Sequence, residues 1–203
     1  MTNNIIVSGN TENPIKALIM LHGRGSSAKD IVGLVEYLNV EGFLLICPEA
    51  RQNTWYPNSF MASIGTNQPQ LDQALESVEN AVLTALEKGI KASDIYFLGF
   101  SQGACLTLEY TARNAKKYGG IIAFTGGLIG DTLNLDNYSG NFENTPVFIG
   151  TSDPDFHVPV NRVNESTKIF QSMNANVDER IYKDMEHTIT QEEIDVVNTT
   201  ILK

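Results

Sequence analysis

The feature that most restricts what this chain can become is its regular alternation of short apolar runs with longer amphipathic ones. Ile15–Leu21, Phe43–Cys47, Asp94–Leu98, Gly120–Phe124, Pro146–Gly150 and Val177–Tyr182 read as strands. Between and after them, Ser26–Leu38, Gln70–Lys88, Gln102–Lys116, Val160–Met173 and Gln191–Leu202 carry apolar residues at helical spacing, as in Leu71, Leu75, Val78, Val82 and Leu86. Such alternation predicts an α/β fold built on a mostly parallel central sheet with helices on both faces. In that architecture functional residues gather at the carboxyl ends of the strands. Asn4–Ser8 reads as an added antiparallel edge strand. With no internal repeat, low-complexity tract or linker, residues 1–203 read as a single domain. Neither long loop, Pro48–Gln68 or Gly126–Asn144, has room for a large cap, and the second supplies at most a small flap.

Composition narrows the class of partner. Twenty-four acidic residues against 14 basic ones give a net charge of -10, which disfavours nucleic acid and anionic membrane surfaces. No apolar run approaches the roughly 20 residues of a membrane helix. Met1-Thr2-Asn3-Asn4 lacks the basic and apolar regions of a secretory signal. Cys47 and Cys105 fall in buried elements without metal-like spacing and read as reduced core residues, the pattern of a cytoplasmic protein.

Gly99-Phe100-Ser101-Gln102-Gly103 matches G-x-S-x-G at the junction of a strand and a helix. A serine on so tight a turn is held in a strained conformation with its hydroxyl above the sheet, and the flanking glycines allow the close backbone packing the turn needs. This marks Ser101 as a candidate nucleophile. The first strand runs into Leu21-His22-Gly23-Arg24-Gly25-Ser26, whose backbone N–H groups face outward at a helix start. The N–H of Arg24, with that of Gln102 just after the nucleophile, makes a two-donor oxyanion hole. His22 is placed to orient that turn. Gly23-x-Gly25-x-x-Ala28 also fits the dinucleotide-binding G-x-G-x-x-G/A, with Glu49 as a ribose-binding acid, but that reading leaves Ser101 and the late histidine without a role.

The late histidine is His187, directly after the strand that ends near Tyr182. Its position suits a base that takes the serine proton, and it completes the chain order Ser, Asp, His. The acid falls in Gly150-Thr151-Ser152-Asp153-Pro154-Asp155-Phe156-His157-Val158-Pro159, where Asp153 and Asp155 both qualify. An acid that holds an imidazole in one tautomer must stand near the end of its own strand. Asp153, three residues past Gly150, meets that condition, and Asp155 is the alternative.

In these pieces the chain resembles the phospholipase/carboxylesterase family of α/β-hydrolases, which includes the acyl-protein thioesterases. The resemblance rests on Leu21-His22-Gly23-x-Gly25, on Gly99-Phe100-Ser101-Gln102-Gly103-Ala104, on the Asp153 region ending in Val158-Pro159, and on Met185-x-His187. It spans nearly the whole chain and implies an α/β-hydrolase fold with Ser101 as nucleophile, His187 as base, an aspartate of the Asp153 region as acid, and Arg24 and Gln102 as oxyanion donors. The family shows an Asp-x-x-Val-Pro segment, so Val158-Pro159 favours Asp155 where the spacing from Gly150 favours Asp153.

The chemistry expected is hydrolysis of a carboxylic ester or thioester through an acyl-enzyme, with no metal or organic cofactor. The aromatic-rich Asn53–Phe60 loop follows a strand end and is a candidate wall of the acyl pocket. His22, Gly23, Trp55, Tyr56 and His157 are the expected substrate contacts. A binding module of the same fold without turnover is the remaining alternative, although nucleophile, base and acid all have candidates here.

Overall fold

The computed structural model describes residues 5–203. Seven strands form one sheet: β1 (Ile5–Gly9), β2 (Ala17–Leu21), β3 (Leu44–Pro48), β4 (Ile95–Phe100), β5 (Gly120–Phe124), β6 (Pro146–Asp153) and β7 (Asn176–Lys183), in the order β1-β3-β2-β4-β5-β6-β7. Only β1 runs antiparallel, against β3, and all the other pairs are parallel. The edge strand expected at Asn4–Ser8 is thus β1. Asn4, and with it the reading of Met1–Asn4, lies outside the described residues.

Five α-helices cover the sheet: α1 (Ala28–Val32), α2 (Gln70–Glu87), α3 (Gln102–Arg113), α4 (Val160–Ser172) and α5 (Gln191–Thr200). The buried residues split by face with the two-residue period of a strand. On β2, Ala17, Ile19 and Leu21 join the core under α2, α3 and α4, while Leu18 and Met20 join the core under α1 and α5. Strands buried on both faces read as unbroken apolar runs, and β2 to β5 are of this kind.

Several boundaries differ from the expected ones. Ile15 lies outside β2 and is 77% exposed, because sheet pairing on both sides begins only at Ala17. The expected helix Ser26–Leu38 is two pieces. Ser27 caps α1 in a reciprocal box with Asp30, and beyond Val32 the chain tightens into a 3-10 turn at Gly33–Tyr37. In α2 the buried face is filled by Ala74, Ala81 and Ala85 beside Leu71, Val78 and Val82, and Leu86 is exposed. Small residues let the helix lie close to the sheet.

The difference with most consequence is in β6. It continues three residues past Gly150, pairing with β7 as far as Asp153–Lys183. The Gly126–Asn144 segment is no flap. The buried Arg162 guanidinium donates to the carbonyls of Leu128, Gly130 and Asp131, and Glu109 accepts from the Ile129 N–H and the Tyr138 hydroxyl. The segment is thereby drawn down onto α3 and α4. Among the described residues, no helix is long and apolar enough to cross a membrane.

Candidate active site

The loops at the carboxyl ends of β2, β3, β4, β6 and β7 meet around a cleft of ≈ 490 Å³. Its centre is the turn from β4 into α3. Ser101 sits at φ 54, ψ -117, a left-side conformation that costs a non-glycine residue about 1–3 kcal/mol. The glycines on either side are required by packing. A Cβ on Gly103 would lie 2.1 Å from the Leu21 carbonyl oxygen, and one on Gly99 would lie 2.3 Å from the Gly103 oxygen. The backbones of β2, β4 and α3 therefore touch directly, which fixes Ser101 against the sheet.

A continuous hydrogen-bond chain runs from that serine. The Ser101 hydroxyl is 2.9 Å from His187 Nε2, and His187 Nδ1 is 2.8 Å from Asp155 Oδ2. An ionised carboxylate only accepts, so Nδ1 carries the proton and Nε2 is left to accept from the hydroxyl. The other Asp155 oxygen accepts from the N–H groups of His157 (2.7 Å) and Val158 (2.9 Å). Its side chain is 1% exposed against 27% for His187. Burial pushes the Asp155 carboxyl upward, but the bonds from His187 and from the Val158 and His157 N–H groups outweigh it and hold the carboxyl below its ordinary value of 3.8.

The preferred acid of the sequence reading, Asp153, is not the residue that meets His187. As the last residue of β6 it is exposed and paired across the sheet with Lys183, so the strand end lies at Asp153 rather than at Gly150. Thr151, Ser152 and Asp153 are strand rather than loop, so distance from Gly150 does not measure distance from the strand end. The usable signal was at the other end, since Asp155-Phe156-His157-Val158-Pro159 is itself an Asp-x-x-Val-Pro segment.

Arg24 and Gln102 border the cleft beside Ser101, and among the described residues neither backbone N–H has a protein acceptor. Gln102 opens α3, so its N–H has no partner within the helix. Their side chains hold the cleft wall. Gln102 Nε2 donates to the Tyr56 carbonyl (2.8 Å), and its Oε1 accepts from the Trp55 N–H (3.0 Å). The Arg24 guanidinium donates to the carbonyls of Pro57 (2.8 Å), Tyr56 (2.9 Å) and Asn58 (2.6 Å). Both side-chain roles escaped the sequence reading, because they depend on where a distant loop folds.

Of the five expected substrate contacts, Gly23, Tyr56 and His157 line the cleft, whereas His22 and Trp55 lie beneath it. His22 Nδ1 is 2.8 Å from the Gly23 oxygen, and its Nε2 accepts from the Ala50 N–H at 3.1 Å, which fixes the neutral Nδ1–H tautomer. Trp55 Nε1 donates to the His22 carbonyl (2.9 Å), with the two rings 5.0 Å apart. The pair packs beneath the Gly23–Arg24 turn without reaching the cleft. The apolar lining comes instead from Tyr56, Phe60, Phe100, Cys105 and Val158. Burial pushes the Cys105 thiol up to about 12, so it serves as apolar surface at neutral pH.

The rival dinucleotide pattern loses its anion site. The start of α1, where a pyrophosphate would rest, is occupied by the Glu49 carboxylate, which accepts from the Ala28 N–H at 2.9 Å, and by the Asp30 capping box.

The mostly parallel sheet, with a serine turn at its centre and a cleft across its carboxyl edge, is that of an α/β-hydrolase. The sequence pattern of the phospholipase/carboxylesterase family matches residues 1–203. This chain belongs to that family and is an enzyme of the carboxylesterase and thioesterase type. It is 26% identical to acyl-protein thioesterase 1 of Saccharomyces cerevisiae, over 99% of this chain and 98% of that one. With acyl-protein thioesterase 1 of Yarrowia lipolytica the identity is 28%, over 89% and 88%. The crystal structure of a phospholipase/carboxylesterase from Dyadobacter fermentans is 54% identical, covers 100% of this chain and 97% of its own, and superposes with a TM-score of 0.98.

Proposed function

We propose that this chain, acting as one catalytic domain, hydrolyses carboxylic esters or thioesters through a Ser101–His187–Asp155 triad and a covalent acyl-enzyme. The observation that carries the reading is the hydrogen-bond chain from the Ser101 hydroxyl through His187 to the buried Asp155 carboxylate. His187 takes the hydroxyl proton as Ser101 Oγ attacks the substrate carbonyl, and Asp155 stabilises the imidazolium that forms. The Arg24 and Gln102 N–H groups hold the negative oxygen of the tetrahedral intermediate. His187 then protonates the departing alcohol or thiol, leaving the acyl group on Ser101. Water attacks the acyl carbon, again with His187 as base. Collapse of the second tetrahedral intermediate frees the carboxylic acid and returns the proton to Ser101.

A fluorophosphonate probe, with a panel of 4-nitrophenyl esters and acyl-thioesters, tests this directly. The wild type is expected to label and to turn over the panel, and Ser101→Ala to lose labelling and about 10⁶-fold of the turnover while remaining folded by circular dichroism. Equal labelling of both proteins, or a wild type that binds esters without turnover, would overturn it.

A further inference from the structure

The cleft differs in charge from the chain that forms it. The protein carries 24 acidic residues against 14 Lys and Arg. Yet among the described residues no aspartate or glutamate lines the cleft, while Arg24 does. The acid of the site, Asp155, lies behind His187 with both oxygens already engaged.

Arg24 is the fixed charge in this arrangement. Its partners are three backbone carbonyls of the Tyr56–Asn58 wall, and among the described residues no carboxylate pairs with it. Carbonyls orient a guanidinium but do not neutralise it. Three of its five N–H groups are used, which among the described residues leaves Nε–H and one Nη1–H without a protein acceptor. The side chain has already given up its rotamer freedom to the wall, so binding an anion costs little further ordering. Arg24 is also tied to the chemistry by its own backbone N–H, which the proposed mechanism uses at the reacting carbonyl. A group held by the guanidinium is therefore within one side-chain length of the scissile bond.

We infer that the cleft is built for esters or thioesters carrying an anionic group several bonds from the reacting carbonyl, and that the Arg24 guanidinium is the residue that selects them. This rests on the hydrolase reading above. The anion is a carboxylate or phosphate, on either the acyl or the leaving group.

Three substrates separate the possibilities: 4-nitrophenyl hydrogen glutarate, with the charge on the acyl side; the hexanoate ester of 5-hydroxy-2-nitrobenzoic acid, with the charge on the leaving group; and neutral 4-nitrophenyl hexanoate. For the wild type, kcat/KM on one of the two anionic esters is expected to exceed that on the neutral ester by about tenfold or more, carried mainly by KM. Whichever anionic ester is preferred identifies the side that carries the charge. Arg24→Gln keeps the backbone N–H and removes the charge. It should lower the anionic rate by about 10- to 100-fold and the neutral rate by less, so that the preference disappears, and Arg24→Lys should retain part of it. Free glutarate should also inhibit neutral-ester turnover by the wild type competitively, and Arg24→Gln more weakly.

A wild type that favours the neutral ester over both anionic ones would overturn the inference and leave the hydrolase reading intact. So would a preference that survives unchanged in Arg24→Gln. If no ester is turned over and Ser101 is not labelled by fluorophosphonate, the hydrolase reading falls, and the anion selectivity falls with it.

Discussion

The turn after β4 and the paired loops after β6 and β7 contribute to one hydrogen-bond chain but are held by different forces. Ser101 is fixed sterically: glycine backbones lie against one another, and the strained φ of 54 is enforced by buried strands on both sides. Asp155 and His187 are fixed by hydrogen bonds near the edge of the sheet, on short loops whose outer side meets solvent. Phe156, between Asp155 and His157, is 96% exposed. Ser152 supplies a link between the two loops. Its buried hydroxyl sits against the Met185 carbonyl and 3.2 Å from that of Pro154. Geometry imposed by excluded volume tolerates almost no substitution. Geometry imposed by hydrogen bonds degrades by steps.

The largest expected effect separates the two aspartates. Asp155→Asn should keep the fold but disturb the His187 tautomer, lowering kcat by about 10⁴-fold. Asp153→Asn, at an exposed strand end, should change kcat by less than about threefold. Comparable losses in the two variants would mean that the loop rearranges in solution and that the edge is less fixed than its bonds imply.

Next comes the steric side of the comparison. Gly103→Ala places a Cβ against backbone rather than against a movable side chain. It should therefore cost about 3 kcal/mol or more of stability by urea denaturation, or prevent folding. A mild effect would show that β2 and α3 can separate, contrary to a sterically locked turn.

Ser152→Ala should be gentler, at about 1 kcal/mol of stability, with kcat reduced by less than about tenfold and KM little changed. Ser152→Thr, which keeps the hydroxyl, should recover more of the activity than the alanine variant does. A loss in Ser152→Ala as large as that in Asp155→Asn would make the link between the loops indispensable.

The smallest effect is a pH dependence. Because the folded-state carboxyl of Asp155 is held below 3.8, ionising it favours the folded protein. That contribution is complete above the ordinary carboxylate value and fades as pH falls through the lower folded-state value. Within the carboxylate range, below about pH 5, the stability gap between wild type and Asp155→Asn should thus narrow as pH falls. A gap that widens as pH falls below about 5 would reverse the assigned sign.

Much of this protein was legible in the sequence because its strongest determinants are local. The doubly buried strands β2 to β5 announce themselves as unbroken apolar runs, and α2 by its 3.6-residue stripe. Gly99 and Gly103 mark the serine turn because no other residue fits between touching backbones. The place of His187 after the last strand, at the carboxyl edge of the sheet, was legible too. The sequence alone therefore determined the order of elements, the parallel sheet, the serine turn and the strand ends around which a site could form. Tertiary structure decided the rest. Whether Thr151, Ser152 and Asp153 belong to strand or loop depends on how far β7 runs alongside to pair with them, and that pairing leaves Asp155 rather than Asp153 against His187. The place of His22 and Trp55 beneath the cleft, and the capture of the Tyr56–Asn58 wall by Arg24 and Gln102, join residues more than 30 positions apart. A sequence encodes such contacts only through the packing that brings the chain segments together.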